Sequence, residues 1–365
     1  MQELKRIINY KRIILLLIAV TVNVVFFLYD NKPVMDEDII NKENVAHETY
    51  IKNYHEEVNA IIDNADKLKK YSIFNKAGSF SYANILQTAR DFERVKNVIL
   101  PEDEYKGVQA YTTYYYQYFF TMLVMMFVIY DMFAQRDNGM WSITYSCANG
   151  RIMYAIKQTG VIVVTGAFTH TLIYWSTFIA AMLQRGGVRD LVNPVQTIET
   201  FDKFTYPWSK IKYVTVLYLI SMVCIVALCI TIWGVFVMFR NRVYALVTML
   251  IFAAVEQFIY SHIDIHSVWN GLHYINIINI ININATFSSY RNWGVGTYVF
   301  PVFSVVLFVH IICAGVIGYI AINVSASMKP YKNTTFIKRF TDCVSAGCQK
   351  ILARIPFLFK DCLLY

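Results

Sequence analysis

Six stretches of the chain stay apolar far longer than a globular helix needs: about Ile13–Leu28, Tyr114–Met132, Val161–Leu183, Val214–Phe239, Tyr244–Tyr260 and Tyr298–Ile322. A helix rises about 1.5 Å per residue, so roughly 20 apolar residues cross the ~30 Å hydrocarbon layer of a bilayer. The pattern therefore predicts an all-α membrane protein with about six transmembrane helices. The first stretch is short and follows Lys5, Arg6, Lys11 and Arg12, as a secretion signal would. It runs into Tyr29-Asp30-Asn31-Lys32-Pro33 with no small-residue cleavage site, and is read as a retained anchor.

Between the spans the periodicity changes. In the insertion 30–110, Ile51, Tyr54, Val58, Ile61, Ala65 and Leu68 fall on one helical stripe. After the break at Gly78-Ser79, Ile85, Ala89, Phe92, Val95 and Ile99 form a second stripe that ends at Pro101. Two amphipathic helices packed as an extracellular helical hairpin are expected. That hairpin serves either as a passive cap or as a gate or docking site. The segment 263–296 holds a run rich in amides, Tyr274 to Asn284, and is expected to be re-entrant or interfacial, because bare backbone at membrane depth must be covered by protein or line a cavity. Past Pro330, Ile337, Phe340, Val344, Ile351, Ile355 and Phe359 alternate with Lys338, Arg339, Lys350, Arg354 and Lys360. This predicts a basic amphipathic C-terminal tail, 328–365, on an anionic inner leaflet or against a partner. The chain thus divides into 1–29, the insertion 30–110, a domain 111–327 with five spans, and the tail.

Composition and charge set the orientation. Apolar residues make up 56% and charged residues 16%, which excludes an ordinary soluble enzyme. With both termini in the cytoplasm, the inner pieces 1–12, 134–157, 240–243 and 323–365 carry 16 Lys/Arg against 4 Asp/Glu. The insertion carries 11 against 15, so the positive-inside rule favours this topology in the plasma membrane. Loop 184–213, with five basic and three acidic residues, is placed outside by span parity alone. Basic residues that hug membrane edges account for the net charge of +8 and argue against a nucleic-acid partner. None of the seven cysteines falls in an external loop, so no disulfide framework is expected.

The loop 134–157 carries a resemblance. Asp137-x-Gly139 follows the second span, Arg151 comes twelve residues later, and Lys157 leads into the third span. Together with the six-span layout and the insertion after the first span, this resembles the permease subunits of ABC-2 type transporters. The family more often has Glu at the first position and Pro shortly before the Arg, where this chain has Cys147-Ala148-Asn149-Gly150. The resemblance implies that this loop docks in a cleft of a separate ATPase, with Arg136, Asp137, Gly139, Trp141, Arg151 and Lys157 as coupling residues. It also implies a second permease, identical or a sister. The chain has no phosphate-cradling Gly-x-x-x-x-Gly-Lys-Ser/Thr element, so no cofactor is expected on it and ATP with Mg²⁺ would bind the partner.

Other residues carry chemistry of their own. Glu256 lies within the fifth span, where a carboxylate is costly; it is open to a place in a substrate path with Asn276, Asn279 and Asn282, to pairing between helices, or to being protonated. His262, His266 and His273 fall on one helical face, but the His-Glu-x-x-His signature of zinc proteases is absent and no metal is expected. His170 and His310 are read as satisfied packing residues. Asn284-Ala285-Thr286 and Asn333-Thr334-Thr335 match glycosylation acceptors, a pattern frequent by chance. The expectation is a non-catalytic permease subunit that exports a peptide, antibiotic or lipid-like substrate. The competing readings are a membrane-embedded sensor or immunity protein and a metal-dependent membrane enzyme.

Overall fold

The computed structural model describes residues 10–33, 36–71, 74, 76, 78–101, 106–137, 150–239, 241–263 and 268–327. Its helices are α1 (Tyr10–Asp30), α2 (Glu37–Leu68), α3 (Phe80–Glu93), α4 (Gly107–Thr113), α5 (Tyr116–Asp137), α6 (Gly150–Arg185), α7 (Lys210–Met238), α8 (Arg242–His262), α9 (Ile278–Ile281), α10 (Ile283–Ser288) and α11 (Val302–Ser327). Six of them, α1, α5, α6, α7, α8 and α11, are long and apolar enough to cross a membrane. The chain is a multi-pass helical membrane protein.

Helix α7 is the hub, with Tyr213, Leu217, Cys224, Leu228, Ile232, Trp233 and Phe236 all buried. Helices α5, α6 and α11 all pack against it, and α11 also meets α6. Lipid tails are as apolar as leucine, so small side chains that let backbones approach select the contact face. On α11 that face is Ala314, Gly318, Ala321 and Ser325, spaced by four, three and four residues. A Cβ at Gly318 would come within 3.0 Å of Ile230, and one at Gly234 would collide with Ile317.

Helix α6 begins at Gly150, eleven residues before the apolar stretch expected at Val161. Residues 150–157, read from sequence as loop, are its first two turns, because Tyr154 and Ala155 bury there against the core. At 36 residues the helix is about 54 Å long, well beyond the hydrocarbon thickness.

Helices α2 and α3 pack against each other with Tyr54, Val58 and Phe92 at their contact. Asp36 and Ser79 cap their N-termini, accepting from the Asp38 and Tyr82 amides. Gly78, at φ 87°, takes the left-handed turn between them. The second stripe is shorter as helix than its periodicity suggested. α3 stops at Glu93, Val95 and Leu100 reach the same core from the following turns, and Ile99 is 83% exposed.

Two further departures lie near the sixth span. Residues 292–295 and 298–301 form an antiparallel hairpin, β1 (Asn292–Val295) and β2 (Tyr298–Pro301), in a chain expected to be wholly helical. A two-residue turn with Gly296 at φ 61° closes it. The span expected from Tyr298 therefore begins at Val302. Loop 186–209 is equally structured: buried Gln196 donates to the Phe204 and Tyr206 carbonyls at 3.0 and 2.6 Å, under an aromatic cluster of Phe201, Phe204, Trp208, Tyr213 and Phe287.

Candidate functional site

Two regions of the bundle carry the residues singled out by sequence. The first is the end where α5 stops and α6 starts. Arg12 of α1 makes an ion pair with Asp131 of α5, and Arg242 in the first turn of α8 sits 4.6 Å over the ring of Tyr130. Arg151, half-buried, and Lys157, exposed, project from the first two turns of α6. This end is basic. Arg136 and Asp137 are the last two residues of α5. Gly139 and Trp141 lie outside the described residues, as do the tail 328–365 and residues 1–9. The structure thus sets Arg151 and Lys157 on a rigid helix rather than on a loop.

The second region is the amide-rich segment. The carboxylate of Glu256 accepts the backbone N–H of Ile277 at 3.0 Å, and the Asn276 amide donates to the Glu256 carbonyl at 2.8 Å. Asn276 Oδ1 accepts the Ile278 N–H at 2.8 Å, and Asn279 donates to the His273 carbonyl. These contacts do what the neighbouring turns of a helix would do: they give partners to backbone groups in a stretch broken into short helices. The structure brings Glu256, Asn276 and Asn279 together. Asn282 is the half-buried joint between α9 and α10, and its carbonyl and that of Asn279 both face Thr286 Oγ1.

Asn284 was not singled out as a site residue, yet it ties three elements. Its Oδ1 accepts from Tyr213 Oη at 2.6 Å and its Nδ2 donates to the Thr112 carbonyl at 2.7 Å, joining α10 to α7 and α4. With both ends of the amide engaged and the side chain half-buried, it is a structural staple rather than an open glycan acceptor. Its sequence signal was present, as an asparagine in an apolar run, but nothing local named Tyr213 or Thr112 as its partners.

The histidines separate. His273 Nε2 donates to the Ile263 carbonyl at 2.7 Å, while His262 Nδ1 lies 2.9 Å from Ser261 Oγ and 3.1 Å from the Phe258 carbonyl. His266 lies outside the described residues. Among the described residues no three His, Cys, Asp or Glu side chains converge as a metal would require. His310 Nδ1 donates to the Val306 carbonyl at 2.7 Å.

The interior of the bundle is more polar than the sequence suggested. His170 bonds Ser221 Oγ at 2.8 Å and stacks on Tyr218, and Tyr174 Oη donates to the Val214 carbonyl at 2.7 Å. Tyr111, Gln117 and Tyr118 are buried nearby, and His170 Nδ1 has no hydrogen-bonded protein partner among the described residues. In so apolar a setting such groups are costly unless water or a polar ligand reaches them.

Near the hairpin α2–α3, a groove of about 330 Å³ runs between α3 and β2, lined by Ser79, Tyr82, Leu86, Arg90, Thr297 and Val299. No protein-family model matches the chain, and no curated protein or solved structure is similar to it at a significant level.

Proposed function

We propose that the chain is the membrane-spanning subunit of an ATP-driven exporter of the ABC-2 permease kind, working with a separate ATPase and a second permease, identical or a sister. The observation that carries this reading is α6, one unbroken helix from Gly150 to Arg185. Arg151 stands in its first turn, a dozen residues beyond Asp137-x-Gly139. A push from an ATPase at Arg151 would travel along α6 to Thr177, which holds α1 through Asn23, and to Arg185, which holds Asn31 and Lys32 just after α1. In this reading the basic end faces the cytoplasm of the cell, the α2–α3 hairpin lies outside, and the tail 328–365 rests on the inner leaflet. The segment around Glu256, Asn276, Asn279 and Asn282 borders the substrate route on the outer side. A peptide, an antibiotic or a lipid-like molecule suits such a route. ATP and Mg²⁺ belong to the partner.

The test is co-purification with the ATPase and stimulated ATP hydrolysis in nanodiscs. Trp141→Ala removes an apolar anchor of the kind whose loss costs about 2 kcal/mol or more at an interface. Arg151→Glu reverses a charge in the first turn of α6, where the helix dipole itself favours an acid. The double variant is expected to lose both partner and stimulation; wild-type behaviour would refute coupling through this segment. A second reading, a sensor or immunity protein that binds an outside ligand, is favoured by the groove beside Arg90. Failure of any ATPase to associate would move the weight there.

A further inference from the structure

The β1–β2 hairpin has one face that the described protein leaves largely open. Its register sets Trp293 opposite Phe300 and Val295 opposite Tyr298, so all four side chains point the same way. They are 37%, 46%, 52% and 71% exposed in the order Trp293, Phe300, Val295, Tyr298. The opposite face is occupied. A Cβ at Gly294 would run into Phe80 of α3, and the Asn292 amide donates to Asn84 Oδ1 at 2.9 Å and to Tyr290 Oη at 3.0 Å. A small antiparallel sheet normally turns polar residues to water and apolar ones to the core. Here the uncovered face is the apolar one.

The position of the hairpin identifies what covers it. Strand β2 ends at Pro301 and the next residue, Val302, begins the spanning helix α11 with no linker between. The 26 residues of α11 measure about 39 Å, close to the ~40–45 Å of a bilayer with its headgroups. The root of the hairpin therefore stands in the headgroup layer. The exposed apolar surface of α11, including Phe308 and Ile312, continues towards the same level. Trp269, 68% exposed on the turn Val268–Tyr274 that packs beside α11, and the exposed Arg291 next to β1 add an aromatic ring and a cation. Tryptophan and tyrosine collect at this depth because one end of each ring is apolar and the other is wet.

We infer that the exposed face of the β1–β2 hairpin, Trp293, Val295, Tyr298 and Phe300, lies in the phospholipid headgroup and upper acyl layer of the adjoining leaflet. The hairpin then fastens α3 to the membrane surface, since its other face holds Phe80 and Asn84. This rests on the membrane-spanning fold and not on the transporter reading, so either can fail alone.

The test uses the full chain in phosphatidylcholine–phosphatidylglycerol liposomes, with the native cysteines replaced and a nitroxide placed singly at Val295→Cys or Tyr298→Cys. References are Lys67→Cys, exposed on α2, and Phe308→Cys on the lipid-exposed side of α11. Collision with oxygen and with a water-soluble nickel chelate reports the surroundings. Labels at 295 and 298 are expected to show severalfold lower nickel accessibility than at 67, and oxygen accessibility near that at 308. Nickel accessibility equal to that at 67 at both positions would overturn the inference. Spin–spin broadening between labels at 298 would overturn it as well, by showing a second copy of the chain on this face.

Discussion

Asn23 of α1 donates its side-chain amide to Thr177 Oγ1 of α6 at 2.7 Å, and Tyr114 Oη, just ahead of α5, donates to Asn23 Oδ1 at 3.0 Å. Both ends of a fully buried amide thus join three segments that are far apart in the chain. Hydrogen bonds between membrane helices contribute modestly, because the separated helices find other partners. Asn23→Ala is expected to cost about 1 kcal/mol. Thr177→Val leaves the buried Asn23 amide without its acceptor and should cost a similar amount. Unfolding by SDS from mixed micelles measures both; an Asn23→Ala midpoint at the wild-type value would remove this contact from the stabilising set.

Glu256 acts on the segment after α8 through one oxygen and one backbone N–H. Gln at this position keeps an acceptor for Ile277, whereas Ala leaves that amide without one. A buried donor left without its acceptor costs about 1–3 kcal/mol, so Glu256→Ala should speed hydrogen exchange across Ile277–Ile281 by roughly tenfold or more. Glu256→Gln should lie near wild type in exchange. If transport nevertheless falls in Glu256→Gln with exchange unchanged, the charge serves the substrate route and not the fold.

Tyr50 of α2 donates from its hydroxyl to the Gln196 carbonyl at 2.7 Å, linking the helical hairpin to the loop before α7. Burial first, and then the neighbouring Tyr54 and acidic groups, raises this hydroxyl well above its ordinary value of 10.0. Tyr54 is shifted upward too, chiefly by burial. A tyrosine released from the fold would ionise near pH 10 while the docked one stays protonated, so docking is unaffected below that pH and weakens as pH rises beyond it. Tyr50→Phe should loosen the hairpin by about 1 kcal/mol at neutral pH and reduce the alkaline loss. Limited proteolysis of α2 across pH 7 to 11.5 reads both effects; a cleavage rate flat with pH in the wild type would contradict the linkage.

The orientation rests on the excess of basic residues at one end. Cysteines at Lys67 and Lys350, each introduced into a cysteine-free background, should react oppositely with an impermeant maleimide in intact cells. Position 67 is expected to label and position 350 to stay protected. Labelling of 350 from outside would reverse or break the topology.

Much of the architecture was legible because membranes impose coarse rules. Each of the six spans could be seen from apolar length alone, whereas the Ala314-Gly318-Ala321-Ser325 contact face was picked out only by the packing of α11 on α7. The Tyr54 and Val58 stripe was visible because burial repeats with the helical period. The start of α6 was not, since Arg151 to Lys157 are helix formers that hydropathy scores as boundary. The β-hairpin was missed because four-residue strands that lead into a span look like the span's own first turn.

At the candidate site the sequence by itself determined which residues were anomalous: a carboxylate within a span, and asparagines in an apolar run. Such residues stand out because solvation cost depends on residue type and depth, both of which a linear pattern carries. Only the tertiary structure decided what each one meets. Glu256 reaches Ile277, Asn284 reaches Tyr213 and Thr112, and Asn23 reaches Thr177. Those partners lie from 21 to 172 positions away in the chain, and the contacts are set by which helix faces pack, a choice made by shape among surfaces that are equally apolar.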